Sequence, residues 1–173
     1  MIPTAFARIG ERLVIHGSAA SRMLKRLAAG ARACITVTLV DGLVLARSAF
    51  HHSINYRSVV VLGTASEISD PAEKRRALDA IVERIVPGRL EHVRAPNQKE
   101  LRASRVVFLP LDEASAKLRS GPPKDDEEDY ALPVWAGELP LRFTALPPIA
   151  DPRLTPGIPL PAHVSGWQAR RRG

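Results

Sequence analysis

The chain has almost none of the residues that build disulfide or metal-thiolate frameworks. Its 173 residues include one cysteine, Cys34, which excludes an intrachain disulfide and a cysteine-based zinc site. No stretch of the sequence stays apolar over the length that a membrane-spanning helix needs, and the first residues lack the apolar core of a signal peptide. We therefore expect a cytoplasmic protein with no membrane partner.

Common catalytic motifs are missing as well. The sequence has no G-x-S-x-G nucleophile elbow, no P-loop, no G-x-G-x-x-G fingerprint and no H-E-x-x-H zinc motif. Hydrolase, nucleotidase and metalloprotease functions of those types are therefore unsupported. His51 and His52 are adjacent, so on a strand they would point to opposite faces, and we expect no metal site there.

The composition is that of one ordinary globular domain. Hydrophobic residues make up 45% of the chain, charged residues 25% and aromatic residues 5%, which is sufficient for a single core. There are 25 Lys and Arg against 18 Asp and Glu, for a formal charge of +7, and the basic residues are scattered apart from Arg170, Arg171 and Arg172. Without a continuous basic stripe we expect a solvated basic surface rather than nucleic-acid binding.

Residues 49–63, with the sequence AFHHSINYRSVVVLG, set a polar cluster between two predicted strands. Burying His51, His52 or Arg57 without a hydrogen-bond partner is unfavourable, and a strand does not need these polar residues for its own stability. The cluster therefore indicates a functional site. Taken singly, each histidine can equally be a structural residue bonded to the backbone.

The start of the chain favours a hairpin followed by a helix. Residues 2–8 and 12–16 have strand patterns, and the first strand is expected at a sheet edge. Residues 19–29 follow with a helical pattern, for which Ser18 is the predicted N-cap and Gly30 the stop.

The first turn of that helix has the chemistry of an anion site. Free backbone N–H groups, the hydroxyls of Ser18 and Ser21, and the cation of Arg22 meet there, and a phosphate would fit. The alternative is simple capping by Ser18 with Arg22 in solvent.

The rest of the chain predicts further strands and two more helices. Asp41-Gly42 favours a hairpin turn between strands, residues 58–64 are apolar enough for burial on both faces, and residues 125–129 form an acidic surface loop. The other predicted elements are a helix starting at Pro71 with Asp70 as N-cap, a short helix near residues 96–101, a strand at 105–111 and an ordered segment at 133–141. Pro110 makes the strand at 105–111 either an edge strand or irregular, and residues 114–119 fit a strand or a helix, of which we favour the strand.

Two motifs together resemble a known family. They are His16-Gly17-Ser18-x-x-Ser21-Arg22 after a strand, and residues 36–53 continued by Asn55-Tyr56-Arg57-Ser58-Val59-Val60. They resemble the flavin-nucleotide-binding branch of the pyridoxamine 5′-phosphate oxidase-like split barrels, which includes the nitroimidazole-resistance reductases. The similarity extends over residues 2–141.

This resemblance implies a mainly β fold, an antiparallel six-stranded FMN-binding split barrel with flanking helices. It implies a homodimer with FMN between the subunits. The barrel would occupy residues 1–145, without the helix and strand that usually precede it in the family, and residues 146–173 would form a proline-rich irregular arm. The residues implied in cofactor binding are Pro3, Thr4, Ala5, His16, Gly17, Ser18, Ser21, Arg22, Arg57, Ser58 and Trp135.

The resemblance implies three functions that differ in chemistry. The first is an FMN-dependent oxidoreductase that takes electrons from NAD(P)H and reduces a small acceptor such as a nitroaromatic, with His51 or His52 as proton donor. The second is a non-catalytic flavin-binding or storage protein, and the third is a haem-binding relative that uses a histidine. The family's arginine-rich substrate motif is missing and Met23 replaces a phosphate-binding lysine, so vitamin B6 oxidation is not expected.

Overall fold

The computed structural model describes residues 2–167. Within this range the chain forms eight strands and four α-helices. In chain order they are β1 (Phe6–Ile9), β2 (Arg12–Ser18), α1 (Arg22–Ala28), β3 (Arg32–Leu45), β4 (Ser53–Thr64), β5 (Ser66–Glu67), α2 (Pro71–Ile85), α3 (Gln98–Ala103), β6 (Ser104–Pro110), β7 (Glu113–Arg119), β8 (Gly137–Pro140) and α4 (Ala162–Ser165).

The strands form two antiparallel sheets of four strands each. The strand order is β1-β2-β6-β5 in the first sheet and β7-β4-β3-β8 in the second. The predicted mainly β class is therefore confirmed, and the architecture fits a split barrel. Residues 2–167 contain eight strands rather than the six implied by the resemblance, and β5 has only two residues.

The described chain divides into two compact units. The first unit consists of residues 2–33, 62–113 and 144–167, and contains the first sheet, α1, α2, α3 and α4. The second unit consists of residues 34–61 and 114–143, and contains β8 with most of β3, β4 and β7. The predicted domain boundary near residue 145 stays a prediction.

The core of the first unit lies between the sheet and α2. Ala77 and Ile81 on α2 are buried against Val14 of β2 and Val106 of β6. The helix forms where predicted because Asp70 caps it, accepting a hydrogen bond from the Glu73 N–H at 2.7 Å. This packing of α2 on β2 and β6 holds the end of β2 in place.

The predicted first hairpin is confirmed, with shifted bounds. β1 pairs with β2 from Phe6 opposite Ile15 to Ile9 opposite Arg12, and it lies at the sheet edge as expected. Of the two alternatives for the strand near residues 105–111, an edge strand or an irregular one, the edge position is wrong. β6 lies between β2 and β5, and Pro110 is tolerated because it is the last residue of the strand.

Two local predictions failed in the second unit. Asp41 and Gly42 do not form a hairpin turn but lie inside the continuous strand β3. Gly42 faces Pro140 of β8, and a Cβ at Gly42 would lie 3.1 Å from the Leu139 carbonyl oxygen, so the glycine allows the close approach of β8. Val59 of β4 is 41% exposed, against the prediction that residues 58–64 are buried on both faces.

Candidate functional site

The last two residues of β2 and the three that follow lead into α1 and contain most of the predicted anion site; we call residues 17–21 together the 17–21 turn. The predicted helix starts later than expected, at Arg22, and its N-cap is Ser21 rather than Ser18. The Ser21 hydroxyl oxygen accepts from the Leu24 N–H at 3.4 Å, whereas the Ser18 hydroxyl oxygen accepts from the Ala20 N–H at 3.1 Å. Ser18 therefore closes the turn, and Ser21 caps the helix.

Both serine hydroxyls retain a hydrogen that can be donated to a ligand. Each oxygen accepts a backbone hydrogen bond, and neither hydroxyl has an acceptor among residues 2–167. The N–H groups of Arg22 and Met23, in the first turn of α1, also have no acceptor in the described chain. Four donors of this kind at one turn suit an anion with several oxygens.

Arg22 adds a cation to this set of donors. Its side chain is exposed, and within the described range no carboxylate forms an ion pair with it. α1 has seven residues, so its dipole is small, and the attraction for an anion comes mainly from the guanidinium and the hydrogen-bond donors. The charge of Arg22 is thus available for a bound phosphate.

His16 lies directly before the 17–21 turn and Gly17 is its first residue; both stand on β2, and their roles differ. The Nδ1 atom of His16 is buried and has no hydrogen-bond partner among the residues described. A buried, unsatisfied ring nitrogen costs free energy that a ligand oxygen could recover. Packing explains the glycine at position 17, because a Cβ there would lie 2.9 Å from Leu24 Cδ1.

The predicted ring contacts at Pro3, Thr4 and Ala5 fall just before β1. These residues are not in a strand, contrary to the expected strand from residue 2, and the Thr4 hydroxyl donates to the Ala5 carbonyl at 3.3 Å. Their backbone groups are therefore not used in a sheet ladder. Their contact with a flavin ring stays a prediction.

In the second unit, Arg57 forms an ion pair with Asp41, a residue that the sequence analysis took for part of a turn. The guanidinium Nε lies 2.9 Å from one carboxylate oxygen and Nη2 lies 3.0 Å from the other. The hydrogen bond to Asp41 raises the pKa of Arg57. Next to it, the Ser58 hydroxyl is hydrogen-bonded to that of Thr38 at 2.8 Å.

His51 and His52 lie in and just after a 3-10 helix, Ala49–His51, rather than on a strand. The Nε2 atom of His51 lies 3.4 Å from a carboxylate oxygen of Asp126, and Nδ1 of His52 lies 3.0 Å from the Ser48 carbonyl oxygen. His52 is exposed. Their catalytic role stays a prediction.

The acidic loop is attached to the end of β3 by a carboxylate that the sequence analysis placed on the surface. The side chain of Asp125 is 0% exposed and accepts from the Arg47 N–H at 3.0 Å, the Ser48 N–H at 3.3 Å and Arg47 Nη1 at 3.1 Å. Burial opposes its ionisation, but these hydrogen bonds lower the pKa of Asp125 overall. The interaction fixes the start of the acidic loop to the residues that follow β3.

Trp135 is 70% exposed. A Cβ at Gly137 would lie 3.1 Å from the Trp135 ring, so the glycine leaves room for the indole. An exposed indole can stack on a flat ring, and the predicted contact of Trp135 with the cofactor stays a prediction.

A second candidate site, with His92 and His163, lies near the end of α2, and no sequence pattern marks it. The rings of His92 and His163 stack with centroids 4.4 Å apart. Both ring nitrogens of His163 are buried without a hydrogen-bond partner in the described chain. Burial, with the nearby positive charges of His92 and Arg89, lowers the pKa of His163. The lowered pKa favours the neutral imidazole, which is the form that binds metal ions.

An apolar cavity of about 460 Å³ adjoins this group. Val164 and Ser165, which follow His163 in the chain, line it together with Leu146 and Trp167. The Trp167 indole N–H donates to the Ile85 carbonyl at 3.0 Å, which ties the end of the described chain to α2. The volume is in the range of small-molecule sites.

Residues 2–167 contain neither a metal-binding cluster nor a membrane-spanning helix. No group of three or more His, Cys, Asp or Glu side chains is arranged to hold a metal ion in this part of the chain. None of the helices there is long and apolar enough to cross a membrane. The cytoplasmic location stays a prediction, and Arg170, Arg171 and Arg172 lie outside the described residues.

The first 118 residues of the chain match a known protein family. A family model described as pyridoxamine 5′-phosphate oxidase matches residues 1–118, which include the 17–21 turn and Arg57. The chain belongs to the pyridoxamine 5′-phosphate oxidase family. Members of this family bind flavin, so the predicted family and the flavin-binding class are confirmed.

Solved structures similar to this family member combine two cofactors. The flavocytochrome Anf3 from Azotobacter vinelandii is 48% identical, with a TM-score of 0.88 over 94% of this chain and 76% of the other. The FAD and heme binding protein from Mycobacterium smegmatis is 43% identical, with a TM-score of 0.92 over 96% of this chain and 82% of the other.

A more distant structure supports the fold alone. A protein described as a 5-nitroimidazole antibiotic resistance protein from Bacteroides thetaiotaomicron is 24% identical, with a TM-score of 0.52 over 66% of each chain. A search of curated protein sequences found no match.

Proposed function

We propose that the chain is a flavin-dependent redox protein that holds the ribityl phosphate of its cofactor at the 17–21 turn. The observation that carries the proposal is the set of unused donors there, two serine hydroxyls and two backbone N–H groups, beside the free cation of Arg22. FMN is the predicted cofactor. FAD has a phosphate on the same ribityl oxygen, as part of a diphosphate, so the two cofactors share part of this recognition chemistry.

A bound flavin would supply the hydride and electron chemistry. The residues of this chain would then bind and orient the cofactor. Ser18, Ser21 and Arg22 would hold the phosphate, with His16 beside them, and His51 or His52 would be the proton donor to the reduced acceptor. A reduced nicotinamide as electron donor and a small electron acceptor complete the proposal.

Substitution of Arg22 tests the phosphate contact. We expect Arg22→Ala to lower FMN affinity about tenfold or more, because a hydrogen bond to a charged group contributes about 1.5–3 kcal/mol. Arg26→Ala removes the same charge from the same helix at an exposed position and is the matched control. Calorimetric titration with FMN measures both variants, and an Arg22→Ala protein with wild-type affinity would show that the phosphate lies elsewhere.

We propose as a second function that the chain also binds haem through His163. The support is the neutral, buried imidazole with two unsatisfied nitrogens, next to an apolar cavity. A neutral histidine nitrogen is a common axial ligand of haem iron. The two relatives at 48% and 43% identity are a flavocytochrome and an FAD and heme binding protein.

The visible spectrum of haem-reconstituted protein tests this second function. We expect wild-type protein and His92→Ala to give an intense haem band, and His163→Ala to lose it or to shift it by a change of ligand. His92 is the matched control because it stacks on His163 but is itself exposed. An unchanged spectrum in His163→Ala would exclude this residue as the ligand.

We further propose that the protein is a homodimer. The second unit leaves apolar side chains of its strands exposed, namely Leu39, Leu43, Ile54, Val59, Leu118 and Leu139. Apolar residues on this many strands are typical of a surface that another chain covers. A second copy is the occupant that the resemblance implies.

A further inference from the structure

Arg105 lies next to the 17–21 turn, although nothing in the sequence marks it. It stands on β6 directly opposite Gly17 of β2. Its side chain is only 23% exposed, and its guanidinium is held at two points. Nε lies 3.0 Å from a carboxylate oxygen of Glu67 on β5, and Nη1 donates to the Ala19 carbonyl at 3.3 Å.

The contact with Ala19 affects the whole turn. The Ala19 carbonyl and the Ala20 N–H belong to one planar trans peptide group, so they point in opposite directions. Arg105 binds the carbonyl on one side, and the Ser18 hydroxyl oxygen accepts from the Ala20 N–H on the other. The orientation of this peptide group therefore determines where the Ser18 hydroxyl lies.

A second contact holds the same turn on β6. The Ala19 N–H donates to the Ala103 carbonyl at 2.7 Å, and Ser104 pairs with Ser18 in the ladder of β2 and β6. With Arg105 on the carbonyl side, both polar groups of Ala19 are bonded to residues at the junction of α3 and β6. The remaining hydroxyl hydrogen of Ser18 is then the group free to donate outwards.

We propose that Arg105 is a positioning residue for the cofactor phosphate. It acts through the peptide group of Ala19 and Ala20 and through Ser18, and it does not contact the phosphate itself. Glu67 fixes the direction of its guanidinium. This inference rests on the proposed function, because it concerns the same phosphate site.

A comparison of arginine with lysine at position 105 distinguishes positioning of the 17–21 turn from simple charge attraction of the phosphate. A lysine at position 105 keeps the positive charge but has one compact ammonium group, which does not reproduce the fork between Glu67 and the Ala19 carbonyl. If Arg105 acted only as a distant cation, Arg105→Lys would bind FMN as the wild type does. If it positions the turn, the lysine does not restore affinity.

The experiment compares FMN with riboflavin, which lacks the phosphate, in calorimetric titrations of the full chain. We expect Arg105→Gln and Arg105→Lys each to weaken FMN binding about tenfold, the equivalent of one good hydrogen bond, while riboflavin affinity stays unchanged. Arg102→Gln is the matched control, since Arg102 is an exposed cation on the preceding helix. It should leave both affinities unchanged.

The comparison with riboflavin separates positioning from general destabilisation. Loosening of the fold would weaken FMN and riboflavin binding by the same factor, and that result would overturn the inference. Wild-type FMN affinity in Arg105→Lys would also overturn it while leaving the proposed function intact. Wild-type protein that binds FMN no better than riboflavin would overturn the proposed function itself.

Glu67→Gln provides a second variant that keeps every cation in place. It removes the carboxylate that orients Arg105 and leaves the Ala19 contact possible. We expect a smaller loss of FMN affinity than in Arg105→Gln, about threefold, with riboflavin affinity unchanged. An FMN affinity that rises on loss of this negative charge would instead indicate a purely electrostatic effect and contradict positioning.

Discussion

At the scale of the residue, Gly17 couples the packing of α1 to the candidate phosphate site. It is conformationally ordinary, but it faces Leu24, a fully buried side chain of α1. A methyl group there meets Leu24 Cδ1 at 2.9 Å, and contacts that short force a shift. The glycine in the sequence motif is therefore explained by the seating of the helix behind the turn.

Gly17→Ala tests this explanation. We expect a loss of about 1–3 kcal/mol in the free energy of unfolding, because a well-packed interface has to accept an extra methyl group. Gly63→Ala is the matched control, since a Cβ at Gly63 would have its nearest neighbours at 3.9 Å. Denaturant unfolding measures both, and equal stabilities of the two variants would contradict a packing role for Gly17.

At the scale of the element, α3 shows how local signals set a helix. Asn97 caps it by accepting from the Glu100 N–H at 2.9 Å, and Glu100 accepts from the Asn97 N–H at 2.8 Å. Glu100 also binds both terminal nitrogens of Arg94. The hydrogen bonds from Arg94, followed by that from Asn97, lower the pKa of Glu100 from 4.5 to about 2.

This shift predicts a pH dependence of stability. Because the pKa of Glu100 is lower in the folded state than in the unfolded state, its stabilising effect is complete above pH 4.5 and is lost as the pH falls towards 2. We expect Glu100→Gln to lower the thermal unfolding midpoint at pH 6 and to match the wild type near pH 2. Glu128→Gln, at an exposed position, is the control. A midpoint difference that does not change with pH would contradict the assignment.

Elements with short-range signals could be predicted from the sequence. Asp70 and Pro71 mark the start of α2, and its apolar face fits the buried Ala77 and Ile81. The first hairpin needs only neighbouring residues. By contrast, Asp41-Gly42 has a strong turn signal that the pairing of β3 with β8 overrides, and this pairing joins residues about a hundred positions apart.

The candidate site likewise contains some residues that the sequence could indicate and others that it could not. The residues of the 17–21 turn are contiguous in the chain, so the motif could indicate them together. Arg105, Asp41 and the pair of His92 and His163 become visible only when distant segments meet. Partnerless polar atoms such as those of His163 have no sequence signal, because burial depends on the whole fold.

At the scale of the whole molecule, the exposed apolar residues of the second unit predict self-association. We expect the wild type to be a dimer by light scattering coupled to size-exclusion chromatography. Leu118 is 69% exposed on β7, and Leu118→Lys should shift the protein towards monomer. Val93→Lys changes an exposed apolar residue of the first unit and serves as control. A monomeric wild type would contradict the homodimer.

The central claim is that the 17–21 turn recognises the phosphate of a flavin nucleotide. The most direct measurement is a calorimetric titration of wild-type protein with FMN, FAD and riboflavin under identical conditions. The account predicts that FMN or FAD binds at least about tenfold more tightly than riboflavin, the equivalent of one charge-assisted hydrogen bond. Equal affinity for riboflavin and both nucleotides, or no binding of any flavin, would contradict it.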